Sequence, residues 1–408
     1  MKNQRINIFF SALLCACALA LSACNGSRPT TEYVGPAETN EATMPTAPEK
    51  SEEEKLLEQM TLEQKAAQTV VAGLSGTEVD EEFRLLADRG LGGAILFSDN
   101  ITNSAQLVSL TNGIKDCSGS IPILIAMDEE GGRVTRLPND VLSMPSAYTL
   151  ASSGDSDYCY SAGQNIGRQI KAFGLSTGFS PDLDIWSNPD NTVIGDRSFG
   201  TTADEVCKYG IANLKGIMST GTIAVAKHFP GHGDTDTDSH YGLPVVSKTK
   251  SELDQNELIP FKEAIANDIP GIMAAHILCT ELDDENPASL SKAIVTDLLK
   301  GELGFKGIVF TDDLTMGAIS DQYTAAEASV KALNAGCDML LVCFEYDNAN
   351  SAIDAIISAV NNGELDEKRL DDAVLRILAI KHEYGLNSSH VTEPDIEAMD
   401  KKTQEFFL

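Results

Sequence analysis

The sequence predicts an α/β fold, a single (β/α)8 barrel of the TIM type with no second α/β domain. Three observations predict the barrel: eight short apolar runs recur along the chain, segments of helical composition separate them, and polar residues gather where the runs end. Each run is continuous rather than alternating, the pattern of a parallel strand covered on both faces. A doubly wound parallel sheet is the alternative that this pattern allows. In a barrel, polar residues belong at the carboxyl ends of the strands, the face that carries an active site. Their placement here favours the barrel.

The elements follow in chain order. Lys2 and Arg5 precede an almost wholly apolar stretch over 6–21, and Leu21-Ser22-Ala23-Cys24 closes it. This layout predicts a secretory signal peptide over 1–24. The tetrapeptide resembles a bacterial lipobox, which makes Cys24 the expected lipidation site and the protein an exported, membrane-anchored lipoprotein of the cell surface or envelope. No other stretch is long and apolar enough to span a bilayer. Residues 25–50, rich in Pro, Thr, Glu, Ala and Ser, read as a flexible tether. The barrel domain is expected over 51–386, with a C-terminal tail over 387–408. It starts in a helical pattern near Ser51, and Thr61-Leu62-Glu63-Gln64 fits a capping box for a second helix. The predicted strands then lie at 67–74, 93–97, 121–127, 178–185, 223–229, 271–277, 307–310 and 338–343. Segments 252–267 and 325–335 have helical composition and fall between successive strands.

Composition excludes several classes. A hydrophobic content of 42% supplies a substantial core, and a net charge of -31 argues against a nucleic-acid partner, because phosphate binding needs clustered Lys and Arg. The six cysteines after Cys24 show no CxxC pair and no metal-type spacing. Cys279, Cys337 and Cys343 lie on or beside apolar runs and read as core thiols.

Polar groups end five of the runs: Asp128-Glu129-Glu130-Gly131-Gly132-Arg133 with Arg136 beyond, Asp182 and Asp184, Lys227-His228, His276, and Thr311-Asp312-Asp313. Side chains alternate along a strand, so one of Asp312 and Asp313 points into the mouth. The other is free to take backbone N–H groups of the following helix, the role expected of Asp313. A carboxylate at the mouth, surrounded by Lys227, His228 and arginines, suits an ionised nucleophile. Three of the six histidines (His228, His232, His240) fall between Lys227 and Pro244, interleaved with Asp234, Asp236 and Asp238. In Asp238-Ser239-His240 the carboxylate is spaced to fix the imidazole's tautomer, leaving the other ring nitrogen to move a proton. Metal binding is the competing reading. The run Asp234-Thr-Asp-Thr-Asp starts like a calcium loop, but Ser239 stands where glycine is needed and Val245 where glutamate is. A zinc site from His228, His232 and aspartates lacks a His-Glu-x-x-His motif. No metal and no cofactor is implied.

The stretch Lys-His-Phe-Pro-Gly-His-Gly followed by Asp-Ser-His resembles the signature of family 3 glycoside hydrolases, and within them the bacterial β-N-acetylglucosaminidase (β-hexosaminidase) branch associated with cell-wall turnover. Similar matches are the entry helix around 60–68, residues 128–136, Gly195-Asp196-Arg197-Ser198-Phe199-Gly200, Thr311 through Met316, and the closing helix 369–386. The resemblance implies a retaining mechanism with Asp312 as nucleophile and His240, oriented by Asp238, as acid/base. It implies sugar contacts from Asp128, Arg136, Arg197, Lys227 and His228, with His276 a weaker neighbour. Larger members carry a second domain that supplies an acid/base residue. Here about twenty residues follow the closing helix, so the proton donor is expected from the barrel. The expected partner is a GlcNAc-containing glycan. The rivals are a family 3 enzyme acting on glucose or xylose, and a surface lipoprotein that binds glycans without cleaving them.

Overall fold

The computed structural model describes residues 50–235, 239 and 242–407; Cys24, Asp238 and His240 lie outside them. The entry helices Glu52–Leu57 and Leu62–Gln68 are both opened by capping boxes. At the second, Thr61 Oγ1 accepts the Gln64 N–H at 3.2 Å, while Gln64 Oε1 accepts the Thr61 N–H at 2.9 Å. The first predicted strand therefore starts late: Ala67 and Gln68 finish this helix, and β1 is Val70–Gly73.

The remaining strands are β2 (Gly93–Leu96), β3 (Leu124–Met127), β4 (Val225–Phe229), β5 (Val245–Val246), β6 (Gly271–Ala274), β7 (Leu278–Cys279), β8 (Ile308–Thr311) and β9 (Leu340–Val342). All ladders are parallel and are separated in sequence by helices. They form a four-stranded sheet, β3-β2-β1-β9, a three-stranded sheet, β4-β6-β8, and the small pair β5-β7, which the apolar pattern did not announce.

The fold is α/β, but the named ladders stop short of the single closed barrel expected. Isolated parallel bridges span the two gaps between the larger sheets. Thr177 pairs with Ala126 and Ile223 on one side, and Phe310 pairs with Met339 on the other. The strand predicted at 178–185 does not form, and beyond Thr177 it makes only the bridge Asp182↔Lys227. Phe179 sits in the left-handed region at φ 41, and Pro181 has no N–H to give a ladder. Hydrophobicity alone carries neither effect.

Both faces of the strands are buried, which explains their continuous apolar runs. Val71, Ile95, Leu124, Val225, Ile308 and Leu341 share one core cluster. Their chain neighbours Val70, Ala94, Ile125, Ala226, Val309 and Val342 belong to another. The closing helix Glu367–Glu383 adds Ile377 and Ile380 to the first cluster. Beyond it, helix Ile396–Gln404 docks on helix Ser156–Ala172, where Thr403 Oγ1 accepts from Asn165 Nδ2 at 2.9 Å. Cys159, Cys279, Cys337 and Cys343 are buried free thiols. No helix among the described residues is long and apolar enough to cross a membrane.

Candidate active site

The strand ends converge on a cavity of about 290 Å³ that collects Asp128, Arg136, Arg197, Lys227, His228 and Asp312 on its wall. Asp128 follows β3 directly. Beyond it Gly131 (φ 87) and Gly132 (φ 59) reverse the chain in a conformation that side chains rarely adopt. At this turn Glu130 is buried between two cations. Its Oε1 lies 2.7 Å from Lys227 Nζ, and Arg197 grips both oxygens, at 2.8 and 2.7 Å. Lys227 Nζ also donates to Asp128 Oδ1 at 2.7 Å, and Arg136 Nη2 stands 3.9 Å from Asp128 Oδ2. Burial disfavours the Lys227 charge, but Asp128 and Glu130 outweigh it and hold the ammonium above its usual pKa. Arg197 reaches the site on a loop pinned by Arg133, which donates to the carbonyls of Thr192, Val193 and Ile194.

Asp184 orders the start of the histidine stretch. Its Oδ2 takes His228 Nδ1 at 2.6 Å and its Oδ1 takes the His232 N–H, also at 2.6 Å. Gly233 allows the loop to press down here, since a Cβ on it would fall 1.7 Å from the Ile185 carbonyl oxygen. Arg197 Nη2 lies 3.3 Å from His228 Nε2. Because arginine only donates, Nε2 accepts and Nδ1 carries the proton toward Asp184. Burial, reinforced by Arg197, lowers the His228 pKa to about 4, so the ring is neutral at physiological pH. Asp182 is pushed up to about 8 by burial and by Asp184.

Asp312 follows β8, half-buried, with its N–H given to the Ala274 carbonyl at 3.0 Å. Burial raises its carboxyl, yet the His276 and His228 rings, the Asp313 N–H at 2.9 Å and Lys227 together hold it below the ordinary value. It is an ionised carboxylate facing the cavity. Asp313 turns away. Its Oδ1 accepts the N–H groups of Thr315 and Cys343 at 3.0 and 3.1 Å, tying β8 to the end of β9. It does not cap the next helix, Gly317–Ser320, whose N-cap position is Met316. His276 is fully buried and spent on Ser289 Oγ at 2.7 Å and the Asp313 carbonyl at 2.9 Å. It supports the Asp312–Asp313 turn rather than lining the cavity.

Asp182, Asp184 and His228 place three ligand-type atoms within 4.8 Å of one another. They fit a metal poorly: His228 Nδ1 already donates to Asp184, and the Arg197 guanidinium, 3.5 Å from Asp182 Oδ2, supplies the positive charge. Four participants were given no role from sequence. Glu130 and Asp184 stood among the strand-end acids, but nothing in the pattern told which would turn inward. His232 is buried against Thr235 Oγ1 at 2.7 Å, and its Nε2, on the cavity wall, has no hydrogen-bond partner among the described residues. Ser239, between Asp238 and His240 in the chain, lines the same cavity as Asp312 and accepts the Ala318 N–H at 3.2 Å.

The sequence matches the glycosyl hydrolase family 3 N-terminal domain over residues 61–380. It is 35% identical over 324 residues to beta-hexosaminidase A of Pseudoalteromonas piscicida, across 73% of this chain and 54% of that protein. The chain thus spans about half the length of that relative. It is 36% identical over 306 residues to the beta-hexosaminidase of Nitrosomonas eutropha, across 72% of this chain and 87% of that protein. A family 3 β-N-acetylglucosaminidase structure from Paenibacillus sp. str. FPU-7 superposes with a TM-score of 0.82 at 38% identity, over 85% of this chain and 68% of that one. With an ionised carboxylate ringed by charged and polar side chains and a family match reaching from the entry helix to the closing helix, the chain belongs to glycoside hydrolase family 3, a family of glycosidases.

Proposed function

We propose that the protein is a retaining exo-β-N-acetylglucosaminidase that removes terminal β-linked GlcNAc from peptidoglycan fragments or related glycans. The observation that carries this reading is Asp312, ionised and open to a small polar cavity. Its carboxylate attacks the anomeric carbon, and the bond to the leaving oxygen breaks as a glycosyl–enzyme ester forms. His240, oriented by Asp238, gives its proton to the leaving oxygen. It then takes one from the water that releases the sugar. Asp128, Arg136, Arg197, Lys227 and His228 bind the sugar hydroxyls. Support comes from the names of the relatives, from a cavity of about 290 Å³ that suits a single terminal ring, and from Ser239 on its wall.

The same reading closes the eight-stranded barrel over 177–182 through the isolated bridges of Thr177 and Asp182 rather than through a regular strand. It also places the enzyme in the envelope, anchored through Cys24 once the residues before it are removed, with 25–50 as tether. Replacing Cys24 by Ala and following incorporation of a labelled fatty acid tests the anchor; undiminished labelling removes it. The activity is tested on residues 25–408 with aryl β-GlcNAc and aryl β-glucoside, with and without chelator. Strong preference for the GlcNAc substrate, indifferent to chelator, is the expected result. Preference for the glucoside would keep Asp312 and discard the wall-turnover role. Inactivity on both would favour a glycan-binding protein.

A further inference from the structure

We propose that Phe344, stacked on Phe97, forms a subsite for the second sugar ring of the substrate, the one that leaves; this rests on the exo-glycosidase reading above. The polar cavity is joined at Asp128, Arg136, Met273 and Asp312 to a second cavity of about 430 Å³. The wall of the second is of another character, with Phe97, Phe179, Met316, Leu341 and Phe344 on it. Asp312 faces both. The bond to be broken lies on the far side of the attacked carbon from Asp312, so the aglycone of a sugar seated in the polar cavity extends out of that cavity, toward the space beside it.

Phe344 stands at the outer edge of that space. It is 58% exposed, one of few large apolar side chains so placed among the described residues. Its ring lies nearly parallel to that of Phe97, with centroids 5.5 Å apart and planes at 19°. Two phenyl rings side by side on a surface leave an apolar patch that a fold has no reason to keep uncovered. The backbone holds it there. Cys343 before it is buried, and Glu345 after it takes φ 68, a left-handed conformation costly for a side-chain-bearing residue. Asn348 Nδ2 fastens the turn by donating to the Phe344 carbonyl at 3.0 Å.

The occupant that fits is a pyranose ring with equatorial substituents. Its C–H groups form flat apolar faces that stack on a phenyl ring, while its hydroxyls stay at the edge in water. The charged groups of the polar cavity cannot offer such a surface. The two cavities thus divide the work: charged groups select the terminal sugar, and the phenyl pair binds the next one.

The test compares the full chain with its Phe344→Ala and Phe344→Trp variants on N,N′-diacetylchitobiose and on methyl β-GlcNAc, which share the terminal sugar and differ in the second ring. Phe344→Ala should lower kcat/KM about tenfold more for the disaccharide than for the methyl glycoside, mainly through KM. Phe344→Trp should restore the disaccharide preference. Equal effects on the two substrates, or failure of Trp to restore, would overturn the subsite. If the wild-type enzyme cleaves neither substrate, the functional reading falls instead. Calorimetric binding of the disaccharide to wild type and Phe344→Ala then decides the subsite alone, with equal affinities overturning it. An unchanged melting temperature for Phe344→Ala, expected of an exposed ring, separates both results from misfolding.

Discussion

A carboxylate must be ionised to attack, and Asp312 is ionised although burial opposes it, because rings, an N–H and an ammonium face it. Asp312→Asn keeps the shape and removes the negative charge. It should cut turnover of aryl β-GlcNAc by about 10³-fold or more while leaving the melting temperature near wild type. Near-normal turnover would remove Asp312 as nucleophile. The proton donor gives a different signature, since an activated aryl group leaves without help and a sugar alkoxide does not. His240→Ala should therefore lose about 10²–10⁴-fold on chitobiose and far less on an aryl glycoside with a good leaving group. Equal loss on the two would end its role as general acid. At this scale the sequence was informative about identity and silent about pairing. The resemblance supplied Asp128, Arg136, Arg197, Lys227, His228 and Asp312, and all six meet in one cavity. That Lys227 would be shared by Asp128 and Glu130, or that Asp184 would fix the tautomer of His228, depends on turns and loops tens of residues away.

The closing helix Glu367–Glu383 carries a lysine inside the protein, and its chemistry makes the helix responsive to pH. Lys381 Nζ donates to Gln68 Oε1 at 2.9 Å and to the Gly92 carbonyl at 2.7 Å, joining the closing helix to the entry helix and to the start of β2. Burial pushes its pKa down to about 7 from the ordinary 10.5. Between those values the unfolded chain binds more protons than the folded one, so this group's contribution to stability rises with pH and is lost as pH falls toward 7. Wild type should therefore gain melting temperature relative to Lys381→Met between about pH 7 and 9.5, a window set by the lowered folded pKa. Parallel melting curves would mean that Lys381 is hydrated and unshifted. The elements themselves were legible where the determinant was local. The Thr61 capping box closes within four residues, and seven of the eight apolar runs contain ladder strands. The eighth was misread because Phe179 and Pro181 break it through backbone conformation and a missing N–H. The pair β5-β7 was missed because two-residue strands leave no periodic pattern.

Over the whole molecule, 61 acidic residues face 30 basic ones, and this imbalance bears on which glycans reach the site. The cations at the cavity do not reverse it locally: Lys227 and Arg197 are paired with Asp128 and Glu130, and Asp312 adds a further negative charge. A neutral oligosaccharide is indifferent to such a field. A glycan carrying lactyl or peptide carboxylates is repelled on approach, and the repulsion is screened beyond about 10 Å at 0.1 M salt. For a carboxylate-bearing disaccharide, kcat/KM should therefore rise several-fold as ionic strength goes from about 10 mM to about 200 mM, mainly through KM. Chitobiose under the same conditions should show a flat profile, which controls for salt effects on the enzyme itself. If kcat/KM for the anionic substrate instead falls with salt, local cations such as Arg133 and Arg136 steer it against the net charge, and peptidoglycan fragments become the better match. If it rises as predicted, uncharged GlcNAc glycans are the substrates this electrostatic surface suits.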